Sequence, residues 1–195
     1  MNILFLDCET TGLDENKHSI IEIACEHHIN GQMVSAYNQR FINRSPILAL
    51  DALKVNKTNI AALLDIGKAC PEERAVFEFV DYLLSLNNKD LHVCGHNVNF
   101  DVRFIKALLT KYNIEGWESA VSYRQIDTCD RAKMLIETGI IPLEAIGAKG
   151  SGLTNIAKAL KLEVEEIKLH TAVYDTNLCS RVFYKMNEVL RNYRG

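Results

Sequence analysis

The stretch NILFLDCETTG (residues 2–12) constrains the fold of this chain more than any other. Residues 3–6 are uninterrupted Ile, Leu and Phe, and a short apolar run ended by a turn (here Thr11-Gly12) reads as a buried strand. Burial on both faces requires cover above and below, so residues 2–7 predict a central strand in a layered α/β domain. Asp7 and Glu9 follow directly. Residues i and i+2 of a strand point to the same side, so the two carboxylates stand next to each other. Like charges that close raise one another's pKa, and one stays protonated unless something neutralises the pair.

The remaining pattern supports this architecture. SIIEIACEHHI (19–29) and QMVSAYNQRFI (32–42) alternate like strands and are joined by Asn30-Gly31, a strong hairpin signal. Short helices are expected at 48–56 and 59–66. PEERAVFEFVDYLLSL (71–86) predicts a better helix: proline opens it, acids fill its first turn, and Val76, Phe79, Val80, Leu83 and Leu84 form a stripe. A strand at 90–95 leads into a helix at 99–112, and a strand at 120–127 into a helix at 129–137. GAKGSG (147–152) reads as a flexible loop before a helix at 153–160, and a long helix closes the chain from about Ala172 to Asn192. A meander followed by strand–helix alternation indicates α/β with a mixed sheet, here of five strands.

Composition excludes several classes. Of 195 residues, 48% are hydrophobic, 24% charged and only three are proline, which fits one ordered domain spanning residues 1–195. The N-terminus has no basic segment before its apolar run, and no run approaches the ~18 residues of a membrane span, so a cytoplasmic protein without membrane contact is expected. The six cysteines are dispersed without a CxxC pair, as reduced thiols are. His92, Cys94 and His96 alternate along a strand and lack a second ligand pair for zinc. A formal charge of −3 argues against a nonspecific polycation.

Acidic residues recur at places where backbone geometry can aim side chains into one cleft. HVCGHNVNFDVRFI carries a strand through a Gly-His-Asn turn to Asp101, and KLHTAVYDTNLCSRVF places His170 and Asp175 at the opening of the last helix. Each has an ordinary explanation when taken alone. An Asp-x-Glu pair can be a solvated loop edge, Asp101 can favour a helix dipole, Asp175 can pair with Arg181 or Lys185, and His170 can be a plain surface or core histidine. Their joint occurrence is what needs explaining.

The ordered segments DCETTG (7–12), HNVNFD (96–101) and HTAVYD (170–175) resemble the three motifs of the DEDDh 3′→5′ exonucleases, the group containing the bacterial DNA polymerase III proofreading subunit and ribonuclease T. ALKVN (52–56) and IDTCDRAKML (126–135) look like intervening family segments, so the resemblance runs from residue 3 to about 190. The sister DEDDy group has tyrosine four residues before the last aspartate. Thr171 stands there, with His170 one residue earlier, which places the chain with DEDDh.

The resemblance implies a ribonuclease H-like α/β/α fold and two divalent cations, Mg²⁺ or Mn²⁺, held by Asp7, Glu9, Asp101 and Asp175 with Asp7 bridging. Hard oxygen ligands suit such ions, and a pair about 3.5–4 Å apart can activate water and stabilise the leaving oxygen in phosphoryl displacement. His170 would be the general base, with an ordinary pKa near 6.5. Positions five apart on a continuous helix point roughly 140° apart. His170 therefore belongs in the loop before the helix that carries Asp175.

By matching motifs, the backbone around Cys8–Thr10 should hold the terminal 3′ hydroxyl. Leu13 should wedge against the terminal bases, with simple loop packing as its alternative, and Asn97 and Phe100 should shape the pocket. Asn56 occupies a position where relatives place a polar side chain near the scissile phosphate. Leu13 is aliphatic where ribonuclease T has an aromatic, which weakens base stacking. The expected substrate is the 3′ end of single-stranded DNA or RNA. The competing readings are a non-catalytic scaffold, which loss of an acid would favour, and a proofreading subunit of a polymerase complex. The chain ends about 20 residues after Asp175, without the tethering extension of the bacterial proofreading subunit, so a stand-alone or small accessory exonuclease is expected. Relatives that dimerise make a homodimer a further expectation.

Overall fold

A computed structural model of the protein describes residues 1–42, 47–49, 69–86, 90–145 and 150–193. The helices expected at 48–56 and 59–66 lie, from residue 50 on, outside the described residues, as does Asn56. The strands are β1 (Asn2–Thr10), β2 (Ile20–Ile29), β3 (Gln32–Ile42), β4 (Cys70–Pro71), β5 (His92–Gly95) and β6 (Ile126–Asp127). They form one sheet in the order β4-β3-β2-β1-β5-β6. β1 is interior, antiparallel to β2 on one side and parallel to β5 on the other. Asn30 and Gly31 close the β2–β3 hairpin with φ of 51° and 89°, the positive values that such a turn requires.

Among the described residues the α-helices beside the sheet are α1 (Glu72–Ser85), α2 (Val98–Lys111), α3 (Trp117–Ala120), α4 (Thr128–Glu137), α5 (Leu153–Ala159) and α6 (Ala172–Tyr193). The period-two alternation of β1 sorts its side chains between them. Leu4, Leu6 and Cys8 join α1 and α2 in the main core through Val76, Phe79, Val102 and Ile105. Ile3 and Phe5 pack on the opposite face against Cys179 and Phe183 of α6. Helices α4 and α5 complete that layer around Leu135, Ile156 and Val182. Both faces of β1 are thus covered by apolar residues, which is why its sequence runs without polar interruption to Asp7.

Among the described residues the sheet has six strands where five were expected. The additional one, β4, is two residues paired in parallel with Phe41 and Ile42. It cannot lengthen, because Pro71 lacks an N–H and sits directly at the start of α1. The strand expected at 120–127 is reduced to Ile126–Asp127. Ser122 donates its N–H to the Leu91 carbonyl (2.8 Å), but its hydroxyl accepts from the Arg124 N–H (3.2 Å) and turns the chain out of the ladder. Asp127 then ends β6 by capping. Its carboxylate accepts from the N–H groups of Asn97 (3.0 Å), Val98 (3.0 Å) and Cys129 (2.8 Å), serving the N-termini of α2 and α4 together.

Tight packing where β5 passes into α2 sets the angle at which α2 leaves the sheet. A Cβ on Gly95 would stand 2.9 Å from Val98 Cβ and 3.0 Å from the Leu6 carbonyl oxygen of β1. Gly95→Ala is expected to destabilise the protein by about 1–3 kcal/mol, the usual range for overpacking, in urea unfolding followed by circular dichroism. An unchanged midpoint would show that β1 and α2 are not held together at this point.

Candidate active site

β1 does not end at Asp7 but runs to Thr10, so Asp7 and Glu9 stand on the same face two residues apart, both half-buried. They emerge on the side covered by α6, whose first turn carries Asp175. Each of these three residues offers a carboxylate oxygen, and the three atoms lie within 4.8 Å of one another. Asp101, in the first turn of α2, is buried beside them, close enough to Asp7 to repel it. Its Oδ1 accepts the Cys8 N–H at 2.9 Å. Alternation explains this: Cys8 turns its side chain into the α2-side core, and the backbone between the two acids meets Asp101.

The electrostatics follow from that crowding. Burial raises Asp7 well above the usual carboxylate range, and repulsion from Asp101, Glu9 and Asp175 adds to it. Burial, with Asp175 and Glu22 adding repulsion, lifts Glu9 to about 7. Asp101 is pushed up to about 8 by burial, although the Cys8 N–H opposes the shift. Burial also raises Asp175, against the pull of the His170 ring and of the His170 N–H. Hard oxygen donors that converge and repel one another suit a divalent cation, whose charge would offset that repulsion. The residues present therefore fit a divalent ion.

His170 lies in the loop before α6, as its five-residue spacing from Asp175 requires. Its backbone is left-handed (φ 63°), a conformation uncommon outside glycine that histidine, like asparagine and aspartate, adopts more readily than most residues. Its N–H donates to Asp175 Oδ2 at 3.1 Å, and the Thr171 hydroxyl next to it donates to the Lys168 carbonyl at 3.0 Å. The base candidate and one acid are thus fixed to each other.

The residues expected at the substrate occupy varied positions. The Thr10 hydroxyl is turned inward and donates to the Gly12 carbonyl at 2.7 Å. The Cys8 N–H is taken by Asp101. Leu13 is 76% exposed. Asn97 is exposed and left-handed (φ 66°) at the N-cap of α2, and half-buried Phe100 packs on Phe104 with ring centroids 4.8 Å apart. His96, set aside as a zinc ligand, instead bonds Thr128 Oγ1 (2.9 Å) and the Ser151 carbonyl (2.8 Å), tying the loop before α5 to the end of β5.

Two residues here escaped the sequence reading. One is Asp127, described above. The other is Glu22 on β2, buried and directly across from Glu9 in the β1–β2 register, with its Oε2 accepting the Ala172 N–H at the start of α6 (3.3 Å). The available signal was the alternation Glu22-Ala24-Glu26-His28, which puts polar groups on a face that the neighbouring strand makes apolar.

The sequence model of the RNase T exonuclease family matches residues 4–183. The chain belongs to this exonuclease family. Among proteins similar to this exonuclease-family chain is the PolC-type DNA polymerase III of Thermotoga maritima, 27% identical over 186 residues. That match covers 95% of this chain and 12% of the polymerase. The corresponding enzyme of Staphylococcus aureus is 30% identical over 187 residues, covering 95% and 11%. This chain therefore spans about an eighth of the length of these relatives. Among solved structures, E. coli Exonuclease I in complex with a dT13 oligonucleotide superposes with a TM-score of 0.76 at 15% identity, covering 98% of this chain and 43% of that one. A moderately thermophilic Exonuclease I from Methylocaldum szegediense gives 0.76 at 15%, covering 96% and 40%. The likeness establishes the ribonuclease H-like arrangement of helices on both faces of a mixed sheet.

The raised carboxyl groups have a consequence for stability without metal. They hold protons that the unfolded chain releases above about pH 4–5, so their stabilising contribution is complete below that range. It is lost as pH rises through about 7 for Glu9 and about 8 for Asp101. In EDTA-treated protein the melting temperature should fall between about pH 5.5 and 8.5. Asp101→Asn keeps an acceptor for the Cys8 N–H and should flatten that fall. Equal slopes for the two proteins would contradict the assignment.

Proposed function

We propose that residues 1–195 act as a 3′→5′ exonuclease domain that removes nucleoside monophosphates from the 3′ ends of single-stranded nucleic acid with two divalent cations, Mg²⁺ or Mn²⁺. The observation that carries this reading is the convergence of Asp7, Glu9 and Asp175 within 4.8 Å, with Asp101 bonded to the backbone between two of them. Among the described residues no helix is long and apolar enough to cross a membrane, and nothing in this reading calls for one.

Asp7, Glu9 and Asp175 would hold the ions, and Asp101, fixed to the Cys8 N–H between two of them, would complete the set. Divalent ions bound there supply Lewis-acid polarisation of a phosphodiester and lower the pKa of water. The chain's own residues do the rest. His170, fixed beside Asp175, accepts a proton from the attacking water at an imidazole nitrogen. The exposed Leu13 lies against the terminal base, Phe100 and Asn97 border the pocket, and Thr10 keeps the strand end rigid through Gly12. A pocket of this kind takes a chain end and cannot thread an internal strand. Exonuclease I bound to oligonucleotides shows the same fold accommodating single strands in that protein.

The polymerase relatives favour a second reading, in which the same chemistry serves proofreading or repair beside a polymerase partner. Both readings predict the same reaction on a bare oligonucleotide. With 5′-labelled single-stranded DNA and RNA, Mg²⁺-dependent shortening from the 3′ end is expected. A circular or 3′-phosphorylated strand should resist, and digestion of either at the normal rate would overturn the polarity.

His170→Ala should slow cleavage by about 10²–10⁴-fold, the usual worth of a positioned acid–base group, with metal affinity nearly intact. Asp175→Asn should lose activity and metal affinity together. Measured by calorimetry and cleavage on the same preparations, equal metal loss in both variants would remove His170 from the base role.

A further inference from the structure

The catalytic reading leaves one buried group unused at the edge of the site. Glu22 sits on β2, 7% exposed, and neither the acid cluster nor the expected substrate contacts include it. On its far side, Arg40 of β3 stands directly across from it. Toward the site its Oε2 accepts the N–H of Ala172, the first residue of α6, at 3.3 Å. Ala172 is two residues after His170.

That N–H is one of the donors a helix start leaves without an internal partner. The turn leading into α6 satisfies its donors in three ways: Asp175 takes the His170 N–H (3.1 Å), Thr171 Oγ1 takes the Tyr174 N–H (3.4 Å), and Glu22 takes that of Ala172. Two of these bonds are made within the turn itself. Among the described residues, the bond that ties it to the sheet is the one to Glu22. A left-handed histidine persists only where its surroundings over-determine it, and His170 is such a residue.

The next turn of α6 has separate fastenings. Thr176 Oγ1 donates to the Ala24 carbonyl (3.2 Å), and Asn177 and Ser180 donate to Glu26 (3.0 and 3.2 Å). Asp175, beside Thr176, is thereby held to β2 without help from Glu22. In the first turn, besides the Glu22 bond, the Tyr174 hydroxyl accepts the Glu165 N–H of the preceding loop (2.6 Å), which does not reach the sheet.

We propose that Glu22 is a positioning residue: by accepting the Ala172 N–H it anchors the turn that presents His170, and it acts on the reaction through His170 and not through the metal ligands. This rests on the exonuclease reading given above. The relevant property is the hydrogen bond and not the charge, so two uncharged replacements separate them. Glu22→Gln keeps an acceptor for the Ala172 N–H. Glu22→Leu keeps the volume and removes the acceptor.

The test uses the full chain, 5′-labelled single-stranded DNA and saturating Mg²⁺, with each variant made in the wild-type and His170→Ala backgrounds. Glu22→Gln should stay within about 3-fold of wild-type kcat. Glu22→Leu should lose about 10- to 100-fold, as a displaced catalytic group does, with KM and the Mg²⁺ dependence matching those of Glu22→Gln. In the His170→Ala background the two replacements should be equal, because nothing remains for the turn to present. If Glu22→Leu does not fold, Glu22→Ala takes its place in the same comparison. Equal losses in Gln and Leu, or a Leu defect that persists in full without His170, would overturn the inference. An inactive wild-type protein would instead overturn the exonuclease reading on which it stands.

Discussion

Everything in this structure depends on where the backbone of β1 stops being buried on both faces. Up to Leu6 the strand is clamped between the α1/α2 layer and α6 by apolar contacts, so its register and pleat are fixed. The same pleat continues for four residues beyond. It turns Asp7 and Glu9 to the α6 side and Cys8 to the α2 side, and it sends the Cys8 N–H to Asp101. A one-residue slip would exchange the two sets and bury both acids in the main core. The acidic cluster is therefore a consequence of core packing. The cost of holding several carboxyl groups together is met by burial of residues that never touch a substrate.

Helix α6 answers that strand from the other side. Its junction with β2 is polar where helix–sheet contacts are usually apolar: Glu22 with Ala172, Thr176 with Ala24, Glu26 with Asn177 and Ser180, and His28 with Tyr184 (3.1 Å). Buried polar groups of this kind are costly when unpaired and orienting when satisfied. Such a row of bonds fixes the rotation and height of the helix more closely than side-chain packing would. Asp175 needs that control, since it must reach acids that belong to another element. His170 sits two residues before the helix, and among the described residues the first bond of the row is the one nearest to it.

The legible part of the sequence was the part governed by periodicity and by motif. The interior strand, the Asn30-Gly31 hairpin and four long helices followed from spacing, because apolar burial sets those elements. The acids were visible because Asp7, Glu9, Asp101, His170 and Asp175 fall in ordered segments with a family likeness. What stayed hidden depends on pairing between distant residues. Cys70–Pro71 becomes a strand only because Phe41 and Ile42 lie beside it, and 121–125 leaves the ladder because the Ser122 hydroxyl competes for a backbone N–H. Glu22 and Asp127 read as ordinary acids in strand and loop. Their roles exist only once β2 meets α6 and β6 meets α2. Asn56 lies outside the described residues.

The central claim is that the acids crowded at the end of β1 hold one another above the ordinary carboxylate range, and that a divalent cation would relieve this. It is tested most directly by titrating Mn²⁺ into EDTA-treated protein near pH 7 in two buffers of different ionisation enthalpy. Metal ligands must be deprotonated, so binding to this cluster should expel about one proton or more per protein, seen as a buffer-dependent heat. The same apparent heat in both buffers would mean that the carboxylates were already free of protons, and that the crowding at the end of β1 is not what prepares this site for a metal.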